Sequence, residues 1–98
     1  MDESKELEWT EGQINHPGEY HPIGKLFGGK VQLWVVSADA GGFDPNGRCR
    51  VSVKSHNGGK DHGLINNWQV FEGADAAKEA AQQYVDDNWD DLKKLRQA

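Results

Sequence analysis

Two stretches of the chain alternate apolar and polar side chains with a period of two, the signature of half-buried strands. In residues 31–36, Val31, Leu33 and Val35 fall on one face, and Gln32, Trp34 and Val36 on the other. In residues 48–54, Cys49, Val51 and Val53 point inward, while Arg48, Arg50, Ser52 and Lys54 point outward. Between them, Asp44-Pro45-Asn46-Gly47 has the residue types of a tight turn, because Pro pre-sets φ and Asn-Gly tolerates positive φ. The pattern predicts an antiparallel hairpin. Upstream, residues 20–27 read as another strand, placed at an edge because Pro22 lacks an amide donor. Residues 6–9 predict a short further piece, residues 55–63 a long loop, and residues 67–71 a last strand.

The period then changes from two to 3.6. Ala74, Ala77, Ala81, Tyr84, Val85, Leu92 and Leu95 form one stripe at 100° per residue, with Trp89 at its border. Gly73 stands at the N-cap, and Asp75 suits the positive end of the helix dipole. A helix over residues 74–95 is ~33 Å long at 1.5 Å per residue. A seven-residue strand spans only ~23 Å, so the last turns overhang the sheet. The overhang is expected to fold onto the N-terminal segment that carries Trp9, although Asn88 interrupts the stripe there. The fold class predicted is α+β: an antiparallel β-meander of four to five strands with one long C-terminal helix packed on one face. It forms one domain over residues 1–98, with an acidic N-terminal segment (1–19), the meander (20–71) and the helix (about 74–95).

The stretch Trp68-Gln69-Val70-Phe71-Glu72-Gly73-Ala74-Asp75-Ala76-Ala77-Lys78-Glu79-Ala80-Ala81 carries a resemblance. It is similar to small proteins encoded by phages and prophages, in which a strand ending in Phe leads into a capped, acidic, Ala-Lys, Ala-Ala helix. The cap there is usually Ser or Thr and is Gly73 here. The likeness covers much of the chain in architecture and only this stretch in residues. Some such proteins inhibit host defence, anti-CRISPR proteins among them, so the resemblance implies a stoichiometric inhibitor working in the host cytoplasm.

Composition narrows the class. At 98 residues the chain has room for one core. Hydrophobic residues make up only 36%, but four Trp, three Phe and two Tyr argue against disorder. No apolar run approaches the ~20 residues of a membrane helix. The acidic start lacks the basic-then-apolar pattern of a signal peptide, and the single Cys49 allows no intrachain disulfide. Both fit a cytoplasmic protein.

The net charge of −5 conceals a segregation. Residues 1–23 carry six acids against one base, residues 24–60 six bases against two acids, and residues 61–98 eight acids against four bases. Either the acidic ends neutralise the basic middle within the fold, or two faces of opposite sign are each open to a partner.

Candidate chemistry is sparse. Gly24-Lys25-Leu26-Phe27-Gly28-Gly29-Lys30 has the spacing of a phosphate-binding loop, but Val31 stands where Mg²⁺ needs a hydroxyl, and a strand follows instead of a helix. A Gly-Gly turn between strands is the better reading. His16 and His21, each followed by Pro, and His56 and His62 read as loop histidines, so no metal or other cofactor is expected. Ser55 beside His56, Asp61 and His62 does not make a triad by adjacency, and no enzyme activity is assigned.

Two surfaces remain. Asp86, Asp87, Asp90 and Asp91 cluster on one and a half helical turns around Trp89, with Asp90 able to pair with Lys94. This patch can dock on a basic groove and compete there with nucleic acid. Trp34, Arg48, Arg50 and Lys54, on the outward sheet face, can instead stack a base and hold phosphates. The first expectation is a non-enzymatic inhibitor that binds a host protein or ribonucleoprotein complex, as monomer or dimer, with no membrane partner. The alternative is a nucleic-acid-binding module.

Overall fold

The computed structural model describes residues 4–13, 20–39 and 42–96. Six strands, not the four to five expected, form one antiparallel sheet: β1 (Glu8–Gln13), β2 (Tyr20–Leu26), β3 (Val31–Ser37), β4 (Arg48–Ser55), β5 (Lys60–Leu64) and β6 (Phe71–Glu72). Their order is β1-β2-β3-β4-β5, and β6 also pairs with β4. One edge of β4 is thus divided, with Ser52–Ser55 against β5 and Arg48 and Cys49 against β6. Two helices follow, α1 (Ala74–Asp87) and α2 (Trp89–Leu95).

The alternation over β3 and β4 is realised. Val31, Leu33, Val35, Cys49, Val51 and Val53 are buried under the helices together with Leu26, Phe71, Ala74, Ala77, Ala81, Val85 and Leu92. Small residues come first along the stripe, so the start of α1 lies close to the sheet. Each buried Val or Leu adds about 1.5–3 kcal/mol. Cys49 is in this layer, its thiol donating to the Gly47 carbonyl at 3.4 Å. Burial first, then the carboxylates of Asp44 and Glu72, push that thiol above its ordinary value, so it stays protonated and inert.

Four expectations are corrected. Residues 20–27 are not an edge strand: β2 is flanked by β1 and β3, and β1 takes the edge. Pro22 pairs with Glu11 and its lack of an amide is accommodated there. The short N-terminal piece grows into the six residues of β1. The loop at 55–63 contains β5, because the chain reverses tightly over His56-Asn57-Gly58. Residues 67–71 do not form a strand. Asn66, Asn67 and Trp68 all have positive φ (53°, 57° and 66°), a left-handed turn that leaves only Phe71 and Glu72 to pair. Asn tolerates this conformation through its short polar side chain, whereas Trp does so only under strain.

The single long helix is also corrected. Asn88, at φ −123° and ψ 27°, leaves helical geometry and divides it in two. The hydrogen-bond chain continues across the break: Asn88 N–H and Nδ2 both donate to the Tyr84 carbonyl, and Leu92 N–H donates to the Asn88 carbonyl. The N-terminal segment packs along both helices. Leu7 N–H donates to Gln82 Oε1 at 3.0 Å, and Gln82 Nε2 donates to the Lys5 carbonyl at 2.8 Å. Lys5 lies over the Trp89 ring, whose other neighbour is Phe27, at 5.2 Å between ring centroids.

Helix α1 starts without a side-chain cap. The Asp44–Gly47 turn supplies the acceptors instead, with Gly73 N–H donating to the Gly47 carbonyl and Ala74 N–H to the Pro45 carbonyl, both at 2.8 Å. The turn itself is held by Asp44, whose carboxylate accepts from Asn46 N–H at 2.9 Å. Gly73 meets those carbonyls at φ 91° and ψ 155°, a conformation essentially confined to glycine.

Candidate binding surfaces

The first surface surrounds the helix break. Asp86, Asp87, Asp90 and Asp91 are all exposed, and with Lys5, Asn88 and Trp89 they line a shallow open depression. Among the described residues only Asp90 makes an ion pair, with Lys93 at 3.5 Å and not with Lys94 as the i, i+4 spacing suggested. Asp90 and Asp91 stand in the first turn of α2, where the dipole favours negative charge. Asp86 and Asp87 end α1, where it does not. They accept weak support from Gln82 and Gln83, at 3.5 and 3.0 Å. Helix electrostatics accounts for one half of the cluster and leaves the other half unexplained. Trp89 is half-buried between Phe27 and Lys5, which makes it the floor of the patch. Tyr84, one turn before Asn88, has its hydroxyl raised above the ordinary value by burial and then by the Asp91 charge.

The second surface is the sheet face turned away from α1. Trp34 is half-buried there, its Nε1 donating to Gln32 Oε1 at 2.7 Å and the Lys54 ammonium lying 4.9 Å from its ring. Gln32, expected to face solvent, is buried because its Nε2 also donates to the Gly29 carbonyl at 2.9 Å. Gly58 presses on this pair so closely that a Cβ would stand 3.0 Å from the Trp34 ring and 3.1 Å from Gln32. Ser52, also expected outward, is buried and donates to Asp61. Two of the predicted cations have carboxylate partners: Arg48 with Asp39 at 3.0 Å, and Lys54 with Asp61 at 3.4 Å. Asp61 accepts from the Gly63 amide, which does most to draw its carboxyl below the ordinary 3.8; burial opposes this next, and the Ser52 hydroxyl and the Lys54 ammonium add to the lowering. Arg50 has no carboxylate partner among the described residues. Its Nε is buried without a hydrogen-bond acceptor, and its guanidinium lies 6.0 Å from the Trp68 ring.

Trp68 was not foreseen as a surface residue. It is 65% exposed, more than Tyr20, the other exposed big apolar side chain among the described residues. Sequence offered one usable signal: Asn66-Asn67 directly before it favours a left-handed turn over a strand.

The histidines divide. His16 lies outside the described residues. His21 is buried, its Nδ1 donating to the Val35 carbonyl at 3.1 Å and its ring 4.6 Å from that of Phe43. Ser55 and His62 do meet, with Oγ and Nε2 hydrogen-bonded at 2.6 Å. Ser55 is nevertheless 0% exposed, and Asp61 is engaged with Ser52, Gly63 and Lys54 instead of orienting His62. A nucleophile out of reach of substrate and a base without an orienting carboxylate do not compose a hydrolytic site. Among the described residues no three His, Cys, Asp or Glu side chains gather as a metal site, and no helix is long and apolar enough to cross a membrane.

No family model, no curated protein and no solved structure matches this chain.

Proposed function

We propose that this chain is a non-enzymatic inhibitor of the phage accessory kind, which binds a host defence ribonucleoprotein of the CRISPR nuclease type through protein contacts. The observation that carries this reading is the acidic patch at the helix break. Four exposed carboxylates flank the helix break, and two of them occupy positions that the helix dipole disfavours. A surface of this kind meets the positively charged channel of a nucleic-acid-binding partner, accelerates the encounter, and excludes nucleic acid from the same groove. Asp86, Asp87, Asp90 and Asp91 supply the charge, and Trp89 fixes the backbone that presents it.

The test compares affinity capture by the wild type with capture by an Asp86/Asp87/Asp90/Asp91→Asn variant, using lysate of a host carrying such a system. The reading predicts a nucleic-acid-binding complex on the wild type and its loss from the variant. Equal recovery on both removes the patch from the account.

A further inference from the structure

Nothing about the acidic patch explains Trp68. A large aromatic ring left 65% exposed forgoes burial, and its backbone, at φ 66°, is strained for a bulky side chain. Both costs fall on one residue, and the turn that imposes them aims the ring at a particular place. Arg50 points away from the helices, since its neighbours Cys49 and Val51 are buried beneath them. The ring it meets, that of Trp68, therefore lies on the sheet face turned away from α1, exposed beside largely buried neighbours. Lys54 and Trp34 form a second cation–aromatic pair on the same face. Arg50 and Lys54 are four residues apart along β4, or about 13 Å at ~3.3 Å per residue. Lys25 extends the cationic row, being paired with Gln32 across β2 and β3.

We infer that this face binds single-stranded nucleic acid around its exposed Trp68, with a base stacked on that ring and the neighbouring phosphates held by Arg50 and Lys54. Stacking on an exposed ring needs an unpaired base, because a duplex hides its base faces, and cations along a strand follow a backbone. An acidic peptide would satisfy Arg50 and Lys54 but leaves the flat, uncovered ring without a partner of its own kind. The carboxylates Asp39 and Asp61, paired with Arg48 and Lys54, keep the affinity modest, and two phosphate contacts give it a shallow salt dependence. This inference uses residues on the opposite side of the sheet from the acidic patch and stands apart from it.

Fluorescence anisotropy of labelled oligothymidylate, oligouridylate and a DNA duplex, at about 50 mM salt, tests it. The wild type is expected to bind the single strands more tightly than the duplex. Trp68→Gly keeps the left-handed turn, which glycine adopts freely, and removes the ring. It should weaken single-strand binding by at least about fivefold, Trp68→Phe should retain most of it, and Arg50→Gln should weaken it and flatten the salt dependence. Absence of binding by the wild type to all three probes overturns the inference. So does unchanged binding by Trp68→Gly, or tighter binding to the duplex.

Discussion

Serine is the better N-cap residue by rule, and Gly73→Ser should nevertheless destabilise this protein. An N-cap Ser typically improves a helix by about 1 kcal/mol over a residue that cannot cap, with its backbone in the β region. Gly73 instead sits at φ 91°, ψ 155°, so that its N–H reaches the Gly47 carbonyl and the Ala74 N–H reaches that of Pro45. A side chain in this conformation costs about 1–3 kcal/mol. Rotating φ to relieve it breaks a 2.8 Å hydrogen bond that contributes about 1 kcal/mol. Contact is not the obstacle, since an added Cβ would stand 3.6 Å from the nearest atom, the Pro45 carbonyl oxygen. The loss is therefore a backbone loss of about 2 kcal/mol, the same for Ser and Ala. For a domain of this size that lowers Tm by roughly 8–16 °C. Urea and thermal unfolding of wild type, Gly73→Ala and Gly73→Ser measure it. A Ser variant as stable as the wild type, or more stable than Ala by a full cap's worth, refutes the reasoning.

Two further outcomes follow from the same geometry. Gly58→Ala combines φ 95° with a Cβ 3.0 Å from Trp34, and should cost about 1–3 kcal/mol by thermal unfolding; an unchanged midpoint would mean that the loop does not press on Trp34 as described. Asp61 has a carboxyl held below 3.8 in the folded state, so the stability it contributes is complete above that value and is lost as pH falls through the depressed one. The stability gap between wild type and Asp61→Asn should accordingly narrow from neutral pH to about pH 3 in urea titrations. A gap that stays constant contradicts the assignment.

Elements whose patterning and burial agree were legible from sequence. In β3 and β4 the alternating apolar set is the set that α1 buries, and the 3.6-residue stripe from Ala74 to Val85 is the one that covers it. Gly73 marks the helix start in the sequence as a cap, whereas the structure uses it for a backbone angle. The break at Asn88 had a trace in the sequence, a polar residue inside the stripe, yet a polar side chain alone does not distinguish an exposed face from a kink. The left-handed turn at Asn66–Trp68 is masked in the sequence because Trp-Gln-Val-Phe carries strong β propensity, and local propensity yields where a chain must reverse. The turn presents Trp68, the most exposed aromatic among the described residues. The partners of the cations could not be read at all, because Arg48–Asp39 depends on how the hairpin loop returns and Lys54–Asp61 on an unforeseen strand, β5.

The central claim is that the acidic helix end occupies a basic nucleic-acid site on its partner, and competition tests it most directly. Once the complex captured by the wild type is purified, its binding to this protein is titrated against that complex's own nucleic-acid substrate. The account predicts mutual exclusion, with substrate displacing the wild type and the Asp86/Asp87/Asp90/Asp91→Asn variant unable to displace substrate. Simultaneous binding of protein and substrate, with the wild type's affinity unchanged at saturating substrate, would contradict it.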